Sequence, residues 1–398
     1  MAERPLHEWL AERSGGLVLI TTPRAVAGIG REVLGHYLDV RTVPDYRSWA
    51  AEYVAAAAAR EHGVDLIASS SEDDVLRCAR LRERLGLPGQ DLRSALAYRD
   101  KLVMVTAAAA GGLAVPRSMP IARPGDLLDF VADGGLPVVV KPRREAASIG
   151  VAILRSREDL TGFLAGGAMP AVGGRADWWL AQEFIDAPLC HVDGIVADGA
   201  VLHCWPSRYS GGSAESVASA SVLSSTLLAA DDPATEVLRD FAAAVHRALP
   251  GCAFPMSFHL EAWLHAERGP ILCEVACRTG GIRIADTYLL AFGPQLSRQN
   301  LRGQAGLPIG PGPAPGGPDR PRGWIMFPKG RGRFSPPGPC QVPGVRIDLD
   351  LAPGEMSDGM ADLGDSAATA LVEADTNGEL DDRIAAATRW WTRECQWT

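Results

Sequence analysis

FPMSFHLEAWLHAERGPILCEVAC, residues 254–277, alternates apolar and polar side chains in the manner of a β-hairpin. Leu260, Ala262 and Leu264, then Ile271, Cys273 and Val275, fall at every second position, which puts them on one face of a two-stranded unit. Folded about Glu267-Arg268, the segment sets strand Phe254 to Ala266 against strand Pro270 to Cys277, with Glu261 directly opposite Glu274. Side chains so opposed have Cβ atoms about 4.5–5.5 Å apart, where like charges destabilise a sheet unless something lies between them. Two readings follow: both glutamates sit on a solvated face beside Arg278, or they share a divalent cation. The apolar opposite face favours the second, because the face bearing His259, Glu261 and Glu274 is then free to look across a cleft or into solvent. Carboxylate oxygens are the hard donors that Mg²⁺ accepts, one or two from protein and the rest from water and phosphate. The glycines of Arg278-Thr279-Gly280-Gly281 break the strand where a backbone would approach a ligand.

Working outward, Lys141 ends the apolar strand Pro137 to Lys141 and is followed by Pro142, so its ammonium stands at a strand end suited to a phosphate. The run from Arg143 to Gly150 starts basic and ends small, and Ser148 and Gly150 can present backbone N–H groups to phosphate oxygens. Its spacing is not that of a Walker loop. Glu183-Phe184-Ile185 closes the strand Trp178 to Ile185, offering apolar contacts to a purine ring and acceptors to its amino group.

Before this unit, the first hundred residues read as strand Gly16 to Thr21, helix Ser48 to His62, strand Val64 to Ala68 and helix Ser71 to Leu85, a βαβ pattern. Ser71 reads as a helix N-cap with Asp73 and Asp74 in the first turn. Gly28 and Gly30 follow the first strand, but the third glycine of a dinucleotide fingerprint is absent. A helix from Arg99 to Ala110 stops at Gly111-Gly112, and helices Gly125 to Ala132, Arg157 to Leu164 and Ala234 to Ala248 alternate with the strands described. Asp198-Gly199 predicts a type I′ hairpin turn. Ten of the fifteen residues from Leu307 to Pro321 are Pro or Gly, which marks a linker or long loop. Strands Gly323 to Phe327, Val345 to Leu351 and Ala370 to Ala374 and a helix Asp381 to Arg393 follow it.

The 398 residues, 47% hydrophobic and 22% charged, suffice for two or three domains with their own cores. A net charge of −9 argues against a nucleic-acid surface. No run of about 18 apolar residues is present to span a membrane, and Met1 to Gly16 lacks the apolar stretch of a signal peptide. With eight scattered cysteines, the expected location is the cytoplasm.

In order and spacing, these blocks resemble the ATP-grasp superfamily from Tyr98 to Gly293, in its carboxylate–amine ligase branch. The resemblance implies an α/β chain, α+β in the ATP-grasp part. Its expected units are an N-terminal domain (1–97), an ATP-grasp domain (98–306) with a mobile lid at about 114–186, a linker (307–321) and a C-terminal α+β unit (322–398) that covers the cleft or supports a homodimer. It further implies that Lys101 and Lys141 contact ATP phosphates, that Glu183, Phe184 and Ile185 contact adenine and that Asp193 contacts ribose. Glu261 and Glu274 are then the ligands of Mg²⁺, for which Mn²⁺ can substitute. The family often has Asn two residues after the second glutamate, where this chain has Ala276. Arg278 to Gly281 resemble the branch that ligates amino acids, so the implied substrates are a small carboxylate and an amine. Arg278 would orient the carboxylate and stabilise the oxyanion, with Gly280 and Gly281 beside it and Arg208 and His259 in the wider cleft. The alternatives are a ligase acting on a larger peptide or natural-product acid, and a nucleotide-binding regulator without turnover.

Overall fold

The computed structural model describes residues 5–166, 178–212, 219–313 and 316–398. Strands β1 (Val18–Thr21) and β2 (Asp39–Thr42) pair in parallel, with Leu19 opposite Val40. The helix Trp49–His62 packs against β1; Ser48 caps its start by accepting from the Ala50 N–H, and Gly63, at φ +59°, ends it. Two expectations fail here. Val64 to Ala68 runs without strand pairing, and the Ser71 side chain makes no capping bond to the short turn Glu72–Asp74 that leads into helix Val75–Leu85. Gly28 and Gly30 end one short helix and begin the next, which accounts for them without a dinucleotide.

Four antiparallel strands form the lid sheet in the order β3-β6-β4-β5: β3 (Ser118–Ile121), β4 (Val138–Pro142), β5 (Ala152–Leu154) and β6 (Trp179–Glu183). Residues 167–177 of the lid expected over 114–186 lie outside the described residues. Alternation divides the work of each strand. Val138 and Val140 of β4 with Trp179 and Ala181 of β6 pack under helices Pro124–Gly134 and Arg157–Ala165, while Val139, Lys141 and Gln182 face a cavity.

Among the described residues the main sheet has eight strands. β7 (Leu189–Ala197), β8 (Ala200–Tyr209), β9 (Leu223–Leu227), β10 (Met256–His265) and β11 (Gly269–Ala276) supply one half in the order β11-β10-β7-β8-β9. Asp198 and Gly199, at φ +49° and +75°, make the tight turn between β7 and β8 that their sequence predicts. Cys190, Val192, Phe258, Leu260, Ala262 and Val275 form a core with helices Lys101–Ala110 and Pro233–Ala248, and burying such a face is the main driving force for folding.

Beyond residue 321 come β12 (Arg322–Pro328), β13 (Arg331–Ser335), β14 (Val345–Leu349), β15 (Met356–Asp358), β16 (Ser366–Glu373), helix Asn377–Glu394 and β17 (Gln396–Trp397). The unit expected over 322–398 does not keep its strands to itself: β12, β16 and β14 continue the main sheet from β9. The Pro/Gly-rich stretch is irregular but tied down, with Arg302 donating to the Pro308 carbonyl and Gln299 to those of Ile309 and Pro311; Ala314 and Pro315 lie outside the described residues. No helix among the described residues is long and apolar enough to cross a membrane.

Candidate active site

Between the lid sheet and the main sheet lies a cavity of about 430 Å³, with Val139, Lys141 and Gln182 on one wall and Tyr209, Glu261, Trp263 and Glu274 on the other. The end lined by Lys101 and Lys141 is built around Asp100. This fully buried carboxylate caps helix Lys101–Ala110 by accepting from the N–H groups of Leu102 and Val103. It also takes Nε of Arg143 at 2.9 Å and Nε of Arg144 at 2.8 Å. Burial raises the Asp100 carboxyl, and the two guanidinium groups outweigh it and hold it below its ordinary value. One side chain thus fixes both the helix that starts with Lys101 and the loop 143–150. Lys101 Nζ donates to the Glu145 carbonyl at 2.7 Å and lies 3.0 Å from Glu274 Oε2. Lys141, on β4, lines the facing wall, buried, and that burial lowers its ammonium. In the loop, Ala147 and Ser148 have φ of +55° and +63° and Gly150 +71°. The Leu363 N–H, from the C-terminal unit, donates to the Ala147 carbonyl at 3.1 Å.

Glu261 and Glu274 are cross-strand partners, as the alternation requires. The register then slips at Ala262, which pairs with Leu272, because the turn, Ala266 to Arg268, is three residues long and is followed by Gly269 at φ +69°. The slip moves Leu272, rather than the expected Cys273, into the core, and turns Cys273 to the cavity. Tyr209 donates its hydroxyl to Glu261 Oε1 at 3.0 Å, and His259 Nε2 lies 3.5 Å from the same oxygen. Burial raises the Glu274 carboxyl, yet Lys101 and Lys141 outweigh it and hold it well below the usual carboxylate range. Two carboxylates facing one another at the end of a cleft are a donor set that fits Mg²⁺. Position 276 contributes only a methyl group.

At the other end, Phe184 and Ile185 line the cavity, and Arg155 lies over the Phe184 ring. The Glu183 side chain turns away to Arg268 Nη1 at 2.7 Å and to the Arg117 N–H at 3.1 Å, and its own N–H donates to the Arg117 carbonyl at 2.9 Å, so Glu183 does not line the cavity. Gln182 is the residue the sequence reading missed. It is buried, its amide nitrogen donates to Ser118 Oγ at 2.9 Å, and its Oε1 has no hydrogen-bond partner. A buried acceptor without a donor is costly, and this one belongs to a side chain that lines the cavity. Counting alternate positions along β6 would have exposed it.

No family model matches the chain. It is 26% identical over 220 residues to the L-arginine-specific L-amino acid ligase of Bacillus subtilis, covering 54% of this chain and 52% of that protein. It is 38% identical over 87 residues to the D-alanine–D-alanine ligase of Geobacter sulfurreducens, covering 21% and 27%. The matches thus span about half the length of the first relative and about a quarter of the second. Among solved structures, the L-amino acid ligase from Bacillus licheniformis superimposes with a TM-score of 0.69 at 18% identity, over 99% of this chain and 95% of that one.

The chain has the ATP-grasp fold.

Within the ATP-grasp cleft, several expected residues stand elsewhere. Asp193 is not at the cavity: it is buried and accepts from His191 Nδ1 at 2.5 Å and His259 Nδ1 at 2.9 Å, so it is not available to ribose. Burial raises the Asp193 carboxyl, and the two imidazoles outweigh it and hold it far below its ordinary value. Asp186 is the acidic side chain beside the hinge that lines the cavity. His259 belongs to the same network; burial opposes its charge, but Asp193 prevails and lifts it to about 9. Arg208 faces away from the cleft, because its neighbour Tyr209 faces in, and it pairs with Asp232 at 3.4 Å.

Arg278 donates Nε to Glu72 Oε2 at 2.8 Å, and Arg99 lies 3.6 Å from the other oxygen. Burial raises the Glu72 carboxyl, and Arg278 and then Arg99 outweigh it. Glu72 sits between the two acids singled out in the sequence and Ser71, yet it is the one that reaches Arg99 and Arg278. Gly280 packs so closely that an added Cβ would lie 2.8 Å from Asp193 Oδ1; Gly281 has open space around it.

Proposed function

We propose that this ATP-grasp chain is an ATP-dependent ligase joining a carboxylic acid to an amine. The observation that carries the reading is the pair Glu261 and Glu274, opposed across a hairpin, with Lys101 on one carboxylate and Lys141 beside it. In the proposed sequence, the γ-phosphoryl group of ATP passes to the substrate carboxylate, releasing ADP, and the amine displaces phosphate from the resulting acyl phosphate to leave an amide. Lys101 and Lys141 neutralise phosphate charge, while the backbone around Ser148 closes over it. Mg²⁺, or Mn²⁺ in its place, when held by Glu261 and Glu274 supplies charge neutralisation on the phosphoryl oxygens. Gln182 accepts from the adenine amino group, Phe184 and Ile185 hold the ring, and Asp186 takes the ribose role first assigned to Asp193. Arg278, steadied by Glu72, orients the acid and stabilises the oxyanion.

An amino acid or short peptide is the substrate class, supported by the likeness to L-amino acid ligases over 220 residues. Contact between the 359–365 segment and the loop at Ala147 supports a covering role for the C-terminal unit over a dimerising one. The test is phosphate release from ATP with pooled amino acids, followed by mass spectrometry of the product. The expected result is substrate-stimulated ADP and phosphate with a product one water lighter than its parts. Release of AMP and pyrophosphate, or ATP binding that no pool turns into release, sinks the reading.

A further inference from the structure

A second cavity, of about 350 Å³, lies on the main sheet and shares no lining residue with the nucleotide cleft. Its floor is the β12-β16-β14 end of the sheet, where Arg322 stands opposite Glu373 and Arg346 opposite Leu371. Because side chains alternate along a strand, these four residues share one face. Helix Ile284–Phe292 supplies a wall through Thr287 and Leu290.

The charges on this floor are incompletely matched. Arg322 is buried and donates Nη1 to Asp319, while its Nε, without a hydrogen-bond partner, lies 3.6 Å from Glu373 Oε2. The Glu373 carboxylate is half-exposed and keeps acceptor capacity beyond that ion pair. Arg346 is exposed, and among the described residues its guanidinium makes no hydrogen bond or ion pair. Leu290, 45% exposed, turns to the cavity, where Leu371 also lies. A guanidinium fork recognises a carboxylate, a carboxylate accepts an ammonium, and the leucines offer surface to an apolar side chain. Those are the three parts of a free amino acid, and the volume falls in the small-molecule range of about 300–1,000 Å³.

Two contacts place this cavity beside the catalytic cleft. Arg283, which precedes the helix, donates to Thr369 and Asp348 on the same floor, and the loop Arg278–Gly281 lies just before it in the chain. Two residues along β12 from Arg322, the Trp324 ring meets that of Tyr209 edge-on with centroids 6.0 Å apart, and Tyr209 donates to Glu261.

We propose that the cavity is an accessory site for a free α-amino acid with an apolar side chain. Its carboxylate pairs with Arg346, its ammonium with Glu373, and its side chain packs on Leu290 and Leu371. Bound there, the amino acid joins helix Ile284–Phe292 to the C-terminal unit and steadies the loop that precedes the helix. The inference goes beyond the ligase reading and does not need it, since no group in the cavity is assigned to the reaction.

The experiment titrates L-leucine calorimetrically into the full-length protein without nucleotide. Saturable binding is expected, weakened about 10- to 100-fold in Arg346→Gln and in Glu373→Gln, as loss of a charged hydrogen-bond partner dictates. Leucinamide, which lacks the carboxylate, and 4-methylpentanoate, which lacks the ammonium, should bind wild-type protein more weakly by a similar factor. Arg278→Gln, altered at the proposed ligation site, should bind L-leucine as wild type does; Arg278→Lys serves if it does not fold. Amide exchange over residues 284–290 should slow when L-leucine is present. The proposal is overturned by the absence of saturable heat at millimolar L-leucine, by binding that Arg346→Gln leaves intact, or by binding lost in the Arg278 variants, which would place the ligand in the catalytic cleft. Binding without slower exchange over 284–290 overturns the bridging of helix and C-terminal unit. The ligase reading stands or falls separately, on phosphate release.

Discussion

Lys101 Nζ and Glu274 Oε2 are 3.0 Å apart, so the first residue of one helix and a mid-strand residue of the main sheet are joined at the point where phosphate and metal are proposed to meet. Lys101→Met removes the cation from Glu274 and from the proposed phosphate site together. Contacts of this kind are worth about 3–4 kcal/mol in a closed site, so turnover should fall about 10²–10³-fold with the fold intact by circular dichroism. Glu274→Gln should lose Mg²⁺-dependent turnover to a similar degree. A Lys101→Met protein with near-normal turnover would remove the ion pair from the mechanism.

Two carboxylates, Glu261 and Glu274, face one another at the proposed metal site, and residue 276 is alanine. Mg²⁺ completes its shell with water and substrate phosphate when protein donors are few. Calorimetric titration should therefore show saturable Mg²⁺ binding with ATP present and little heat without it. Tight binding to the nucleotide-free protein would point to further ligands.

Asp100 has its carboxyl held below its ordinary value by Arg143 and Arg144 against the opposing effect of burial. As pH falls, the unfolded chain takes up the proton first, so the contribution to stability is full above the unfolded value of about 3.9 and fades as pH drops through the folded one. Thermal melts from pH 7 down to pH 3 should show a loss of stability that Asp100→Asn reduces in slope. The same substitution should loosen loop 143–150, read as faster amide exchange at Ala146 to Gly150. Unchanged slope and exchange would show that the three-way contact carries no free energy.

The hairpin was legible because its information is local: alternate positions and a short loop fix which face Glu261 and Glu274 share. The slip at Cys273 was less so, since either a two- or three-residue turn fits Ala266 to Gly269, and only the positive φ at Gly269 decides between them. Asp193 was misplaced because an acid near the hinge reads alike whether its face meets the nucleotide or the His191–His259 pair. Glu72 and Arg278 are 206 residues apart, and nothing in either local pattern names the other. The Pro/Gly run marks a break in regular structure correctly, but composition does not say which sheet the next strand will join.

Gly280→Ala tests how firmly the Arg278–Gly281 loop is seated. The added Cβ would lie 2.8 Å from Asp193 Oδ1 and 2.8 Å from the Ile284 side chain, and Asp193 is held by two imidazoles and has no room to retreat. Overpacking of this kind costs about 1–3 kcal/mol, and the lowered melting temperature should come with turnover reduced more than ATP affinity. Gly281→Ala, which meets nothing within 4 Å, is the control and should change stability little. Equal effects at the two positions would mean that the contact with Asp193 is not what requires glycine.

Gln182 offers the sharpest check on which base the cleft prefers. Its Oε1 is buried without a partner, while its amide nitrogen donates to Ser118 Oγ, whose own hydrogen goes to the Pro116 carbonyl, so a flipped amide would lose its bond to Ser118. The oxygen is therefore committed as an acceptor, which matches the amino group of adenine and clashes electrostatically with the carbonyl of guanine. Gln182→Leu removes the acceptor and the orphan together. Loss of one neutral hydrogen bond is worth about 0.5–1.5 kcal/mol, so the KM for ATP should rise about 2- to 12-fold while kcat changes little, and the preference for ATP over GTP should narrow. Competition binding with ATP and GTP measures this directly; a preference left intact in Gln182→Leu would assign base recognition to the hinge backbone alone.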